Sequence, residues 1–190
     1  MKGYVITLKS ADHAVRQLTR FERQAKKFNY NVEVFWAIEG KLLTEEDFTN
    51  EGLVLRHDTM IAKRKGAQGC FMSHWKLWHH CRTIGQPIII FESDAYITNY
   101  LPDLDLTKGI VKLHKDRGSK TSKLSGRWSK GAHAYALSPE HADTLIKCVK
   151  DTEVKPVDKI IASKFVDWYH LDKNLVQQMP LGLSTTALTI

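Results

Sequence analysis

Four consecutive apolar residues, Ile88-Ile89-Ile90-Phe91, follow Pro87 and run directly into two carboxylates, Glu92 and Asp94, spaced i, i+2. A short apolar run without alternation, bounded by proline, reads as a strand buried on both faces. Strands of that kind occupy the middle of a sheet covered by helices. In open α/β sheets the ligand crevice lies beyond the carboxyl ends of the strands, which is where Glu92 and Asp94 fall. Residues i and i+2 of an extended chain point the same way. Both carboxylates are therefore placed to share one hard cation such as Mg²⁺ or Mn²⁺. A plain polar turn at the strand end is the competing account.

The order of elements around this strand supports an α/β fold. Tyr4 to Leu8 reads as a first strand. Ala14 to Lys27 has helical spacing through Val15, Leu18, Phe21 and Ala25, and Asn31 to Trp36 alternates as a second strand. Strand, helix and strand in this length predict a parallel return. Ala37 to Lys41 is a loop with a turn glycine, and Thr44 to Asp47 opens a short capped helix. Ile110 to Leu113 and Gly131 to Leu137 read as further strands. Ser138 and Pro139 are a strong helix start, with Ser as N-cap and Pro at the first position, for a helix to about Val149. A last helix is expected over Lys159 to Val166, with Asp158 as its N-cap.

At 190 residues the chain is expected to form one domain, 1–190. No apolar run approaches the length of a membrane span, and the first residues enter a strand pattern without a signal-like apolar core. Three cysteines, an odd number without paired spacing, point to a reducing compartment. These features predict cytoplasmic work, with peripheral contact to the inner membrane through basic residues as an option. The net charge of +7 and pI near 9.3 predict an anionic partner: a phosphate-bearing donor, an anionic glycan, a membrane surface or nucleic acid.

Gly69 to Arg82 fits a helix with Cys70, His74, Leu77, Trp78 and Cys81 on one stripe. His74 then lies on the apolar face, as a core histidine with a hydrogen-bond partner or as part of a site. Cys70, His74 and Cys81 do not make a zinc site, since no C-x-x-C pair exists. Gly66 and Gly69 serve either close packing or the approach of a phosphate to backbone N–H groups. The stretch from Lys115 to Lys130 carries Lys115, Arg117, Lys120, Lys123, Arg127 and Lys130 among glycines and serines, with Asp116 its only acid. It reads as a basic loop, a solvated face or a lid beside a phosphate site. Trp128 would stack on a base or sugar, or pin that loop to the core.

Taken together, these motifs resemble glycosyltransferase family 25, which includes bacterial lipooligosaccharide and collagen galactosyltransferases. The matching pieces are the strand Tyr4–Leu8; Ala37-Ile38-Glu39-Gly40-Lys41, like A-x-D/E-G-K; and Gly66-x-x-Gly69-Cys70-x-x-Ser73-His74-x-x-Leu77-Trp78, like G-E-x-G-C-x-x-S-H-x-x-L-W. Ile90 to Ala95 is like L-E-D-D-A, Gly131 to Ser138 is like G-T-x-x-Y-x-I-S, and Pro156-Val157-Asp158 is like P-x-D. Ala67 stands where the family usually has Glu, and Ser93 replaces the middle Asp.

The resemblance implies a GT-A-like fold, a mixed and mostly parallel sheet flanked by helices. It also implies a UDP-sugar donor, Mn²⁺ or Mg²⁺ on Glu92 and Asp94, and inverting transfer of a hexose to a hydroxyl acceptor, a lipopolysaccharide-type glycan first of all. By family position Asp158 is the base that takes the acceptor proton. Lys9, Ser10 and Arg16 in the first βα segment, Glu39 and Gly40 in the next loop, and Glu92, Lys115 and Arg117 are the expected donor contacts. Ser73 and His74 would support the site. Alternatives are a modified base in nucleic acid as acceptor, a non-catalytic nucleotide-sugar binding module, and a nucleic-acid binder working through Lys115 to Lys130.

Overall fold

A computed structural model describes residues 1–114, 131–171 and 173–178. The elements are β1 (Lys2–Thr7), α1 (Asp12–Lys27), β2 (Val32–Trp36), α2 (Glu45–Asn50), α3 (Lys65–Ile84), β3 (Ile88–Glu92), β4 (Ala95–Ile97), β5 (Ile110–Lys112), β6 (Ala134–Leu137), α4 (Pro139–Asp151), α5 (Val157–Ile161), β7 (Trp168–His170) and β8 (Val176–Gln178), with 3₁₀ turns at Gly40–Leu42 and Leu106–Lys108. Six strands form one sheet in the order β2-β1-β3-β6-β5-β7, and β4 pairs with β8 in a small second sheet. Strand β1 is parallel to β2 and β3, and β5 is parallel to β7. Strand β6 alone runs against its neighbours β3 and β5. The result is a mixed, mostly parallel sheet flanked by helices, as expected.

The apolar run holds the central position, and Ile88 to Phe91 are buried. Its side chains divide between two cores. Ile88 and Ile90 join Tyr4, Ile6, Tyr135 and residues of α3, α4 and α5 on one face. Ile89 and Phe91 join Val5, Leu18, Phe21 and Ala25 of α1 on the other face, together with Ala95, Ile97 and Val176 of the small sheet. Strand alternation therefore sends Glu92, the next even-numbered residue, toward α3.

Helix α1 begins at Asp12, within the stretch Ser10 to Asp12 that offers a helix start in the sequence, and Ala14 rather than Val15 faces the core. Helix α3 begins at Lys65 and incorporates both Gly66 and Gly69. A Cβ on Gly69 would lie 2.4 Å from the Ile38 carbonyl oxygen and 2.6 Å from the Gly40 nitrogen. One on Gly40 would lie 1.7 Å from the Lys65 carbonyl oxygen. The two glycines thus let the loop after β2 lie directly on α3. Ser73 completes the joint: its hydroxyl accepts from Ile38 N–H at 2.9 Å and donates to the Gly69 carbonyl at 2.7 Å. Thr44 and Asp47 form the expected capping box of α2, and Ser138 caps α4 through His141.

Helix α5 is shorter than expected. Its N-cap is Pro156, and Asp158 sits in the first turn, where its Oδ1 accepts from the Lys159 N–H at 2.9 Å. Proline cannot supply a side-chain cap, and the same Lys159 N–H also donates to the Pro156 carbonyl at 2.9 Å, so the carboxylate shares a donor that the backbone already binds. Lys115, Arg117 and Trp128 lie outside the described residues.

Candidate active site

The carboxyl edge of the sheet collects most of the polar chemistry. Glu92 ends β3 and pairs in register with Ile6. Its N–H donates to the His133 carbonyl at 2.8 Å. Because β6 runs antiparallel, the residue entering it lies beside the residue leaving β3. His133 was not among the residues singled out above. A histidine just ahead of a predicted strand signals a site only once the neighbour's direction is known.

Glu92 is held from both sides. Cys70 donates its thiol to Oε1 at 3.6 Å, and His74 Nε2 lies 3.5 Å from the same oxygen, close but off-line for a good hydrogen bond. His133 Nδ1 lies 3.8 Å from Oε2. Burial works against ionisation of Glu92, but His133 and His74 outweigh it and hold the carboxyl well below the usual carboxylate range. His133 is raised: burial opposes its charge, and Glu92 and then Asp94 overcome that. Cys70 is pushed far up, by burial first and then by Glu92, so its thiol keeps its proton.

Asp94 lies in the turn after β3. Gln178 Nε2 donates to its Oδ2 at 2.9 Å, while Oδ1 is buried with no hydrogen-bond partner among the described residues. Burial and then the neighbouring Glu92 raise its pKa. A buried carboxylate oxygen without a partner is costly, and here a second carboxylate stands beside it. Glu92, Asp94 and His133 each offer one ligand atom, all within 4.8 Å of one another. Two carboxylates and an imidazole make a chemically sensible donor set for a divalent cation. It tilts toward Mn²⁺ over Mg²⁺, which prefers an all-oxygen shell. Ser93 does not belong to this cluster. It is buried, and its hydroxyl reaches Gln17 Oε1 on α1 at 3.3 Å, so Ser at this position removes no ligand.

Next along the edge stand the ends of β5 and β7. The His133 and His114 rings are 4.4 Å apart, and the His170 ring nitrogen Nδ1 is 2.6 Å from the His114 carbonyl oxygen. Lys112 is fully buried, donates to the Gly131 carbonyl at 2.9 Å and lies over the Trp168 ring at 5.4 Å. On the other side of Glu92, β1 and β2 bring Lys9, Ser10 and Glu39 together. Ser10 bonds Glu39, which also pairs with Lys41 at 2.8 Å, and Lys9 Nζ lies 5.9 Å from the ring centre of half-exposed Trp36. Gly40 is buried against α3, so its place in the site is structural, and Arg16 is exposed on α1. Asp158 is half-buried and near enough for its charge to act on Cys70.

The sequence profile of glycosyltransferase family 25 (LPS biosynthesis protein) matches residues 1–108, more than half of the chain. The chain belongs to glycosyltransferase family 25. The matched residues include Glu92 and Asp94, whereas His133, Tyr135 and Asp158 lie beyond them. No curated protein sequence matches the chain. A solved structure described as a glycosyltransferase involved in the glycosylation of the major capsid of PBCV-1 is similar with a TM-score of 0.46 at 12% identity, over 83% of this chain and 72% of that one. Membership makes this family 25 chain a glycosyltransferase, an enzyme that takes a sugar from an activated donor to an acceptor. No described helix is long and apolar enough to cross a membrane.

Proposed function

We propose that this family 25 enzyme is a metal-dependent, inverting hexosyltransferase of the GT-A kind, using a UDP-sugar and a hydroxyl acceptor on a lipopolysaccharide-type glycan. One observation carries the metal: Asp94 Oδ1 is buried without a hydrogen-bond partner among the described residues, beside Glu92 and His133. A divalent ion held by these three residues would neutralise charge on the leaving diphosphate. Lys9 and Ser10, after β1, and Glu39, after β2, bind the nucleoside end, one and two strands along the same edge from Glu92. Buried Lys112 adds positive potential near His133. Asp158 takes the proton from the acceptor hydroxyl as the acceptor oxygen bonds to the anomeric carbon and the bond from that carbon to the diphosphate breaks. Inversion requires this attack from the face opposite the leaving group. The work is placed in the cytoplasm, with contact to an anionic inner-membrane surface.

The deciding experiment is donor hydrolysis by the purified protein across UDP-, GDP- and CMP-sugars, with Mn²⁺ and then with chelator. Release of UDP that needs the metal and is lost in Asp94→Asn is the expected result. Binding of donor without any turnover would instead make the chain a non-catalytic module. The net charge of +7 favours a second acceptor, a modified base in nucleic acid. Acceptor binding that weakens steeply with salt would mark that case, and a neutral glycan would show little salt dependence.

A further inference from the structure

Trp78, Tyr135 and His74 form a chain of hydrogen bonds whose direction is fixed from one end. Trp78 Nε1 and the Tyr135 hydroxyl oxygen are 2.8 Å apart, and that oxygen is 2.8 Å from His74 Nδ1. All three residues are fully buried. An indole nitrogen only donates, so the Tyr135 oxygen accepts from Trp78. Among the described residues the single hydroxyl proton then has one neighbour to go to, His74 Nδ1. That nitrogen must accept, and the ring proton of a neutral His74 must sit on Nε2. The opposite arrangement, with a proton on Nδ1, would turn two donors onto the Tyr135 oxygen and strand its hydroxyl proton in a dry interior.

We infer that Trp78 and Tyr135 lock His74 as the neutral tautomer protonated on Nε2, making it a positioning residue for Glu92 and closing it to metal. Among the described residues two clusters have the composition and spacing to hold an ion: Cys70, His74 and Glu92, and Glu92, Asp94 and His133. The first needs a lone pair on His74 Nε2, which the lock removes. With its proton in place, Nε2 faces Glu92 Oε1 beside the Cys70 thiol. The thiol donates to that oxygen, the Nε2 proton lies close to it but off-line, and Oε2 is left toward His133. The indole of α3 thereby selects which of two overlapping sites the metal takes. The metal half of this inference rests on the function proposed above; the tautomer does not.

The test is a long-range ¹H–¹⁵N spectrum of the full chain labelled in histidine, first without metal and then titrated with Zn²⁺, a diamagnetic probe. His74 is assigned by its loss in His74→Gln. The expected result is a neutral ring protonated on Nε2 near neutral pH, unchanged when Zn²⁺ shifts the His133 ring. A proton on Nδ1, or loss of the Nε2 proton on adding Zn²⁺, would overturn the inference. Tyr135→Phe is expected to release the lock, giving mixed tautomers, and to weaken Mn²⁺ binding about 10–100-fold, the usual effect of removing a partner of a metal-ligand network. A Tyr135→Phe protein that keeps the Nε2 tautomer and its Mn²⁺ affinity would also count against it. The wild-type spectrum decides the tautomer even where the variant does not fold. A failed donor assay with the expected spectrum would sink the proposed function and leave the lock standing.

Discussion

Gln178 donates to Asp94 Oδ2 at 2.9 Å across the β4–β8 pair, leaving Oδ1 as a buried oxygen without a partner among the described residues. One side chain near the end of the described chain thus aims a carboxylate that stands 84 positions earlier. Gln178→Ala should weaken Mn²⁺ binding by about 10–100-fold, as loss of an orienting partner does at metal sites. Titration calorimetry of the purified protein measures this directly. An unchanged affinity would show that Asp94 needs no such support.

Asp94→Asn should separate function from stability. The raised pKa of Asp94 means that the folded state holds its proton more tightly than the unfolded one. Metal-free wild type therefore loses stability as pH climbs above the ordinary value of 3.8 and through the raised one. The neutral amide removes that dependence. Metal-free Asp94→Asn is expected to melt higher than the wild type at neutral pH. It should also lose the Tm gain that Mn²⁺ gives the wild type. Paired thermal melts with and without chelator report both effects.

The Glu92 and His133 pair sets a pH window. Glu92 has a lowered pKa, so its contribution is complete above the ordinary value of 4.5 and is lost as pH falls through the depressed one. His133 is raised, so its contribution is complete below 6.5 and is lost as pH rises through the elevated value. Both are present between 4.5 and 6.5. A double-mutant cycle with Glu92→Gln and His133→Gln, without metal, should give a coupling of about 0.5–3 kcal/mol inside that window and a smaller one near pH 9. Equal coupling at both values would mean that the pair is not ionic.

Gly69→Ala should be among the more damaging surface-invisible changes. Its Cβ would sit 2.4 Å from the carbonyl oxygen of Ile38, the residue whose N–H donates to the Ser73 hydroxyl. Overpacking of this kind costs about 1–3 kcal/mol, enough to lower Tm by several degrees. Gly85→Ala is a useful contrast. Nothing lies within 4 Å of its Cβ, but its φ of +62° is the left-handed cap of α3, so strain of about 1–2 kcal/mol takes the place of a clash. Denaturant midpoints for the two variants, with donor binding as control, test both.

Asp158→Asn should abolish transfer to acceptor while leaving donor binding within about twofold, if the carboxylate acts as the base. Its bond to the Lys159 N–H can be made by an amide oxygen too, so the helix start should survive. Equal loss of donor binding and transfer would instead assign Asp158 to the support of α5.

Local pattern determined a great deal of this chain. The central strand, its exit through Glu92 and Asp94, the caps at Thr44 and Ser138, and the buried stripe of α3 were all legible, because each depends on residues within a few positions of one another. Where local reading slipped, longer contacts had overruled it. Helix α3 starts at Lys65 rather than at Gly69 and takes in Gly66, where Gly40 lies against it. Asp158 moved inside α5 because Pro156 took the cap position.

Register across the sheet was decided by tertiary structure alone. Sequence marks Gly131 to Leu137 as a strand but is silent on its direction, and only an antiparallel β6 puts His133 beside Glu92 and Tyr135 between Trp78 and His74. In the same way, nothing near Asp94 in the chain announces Gln178. Periodicity carries information over one or two turns of chain. The partners of Glu92, Asp94 and His74 across the sheet are joined by packing between residues 41 to 84 positions apart, where only the folded sheet brings them into contact.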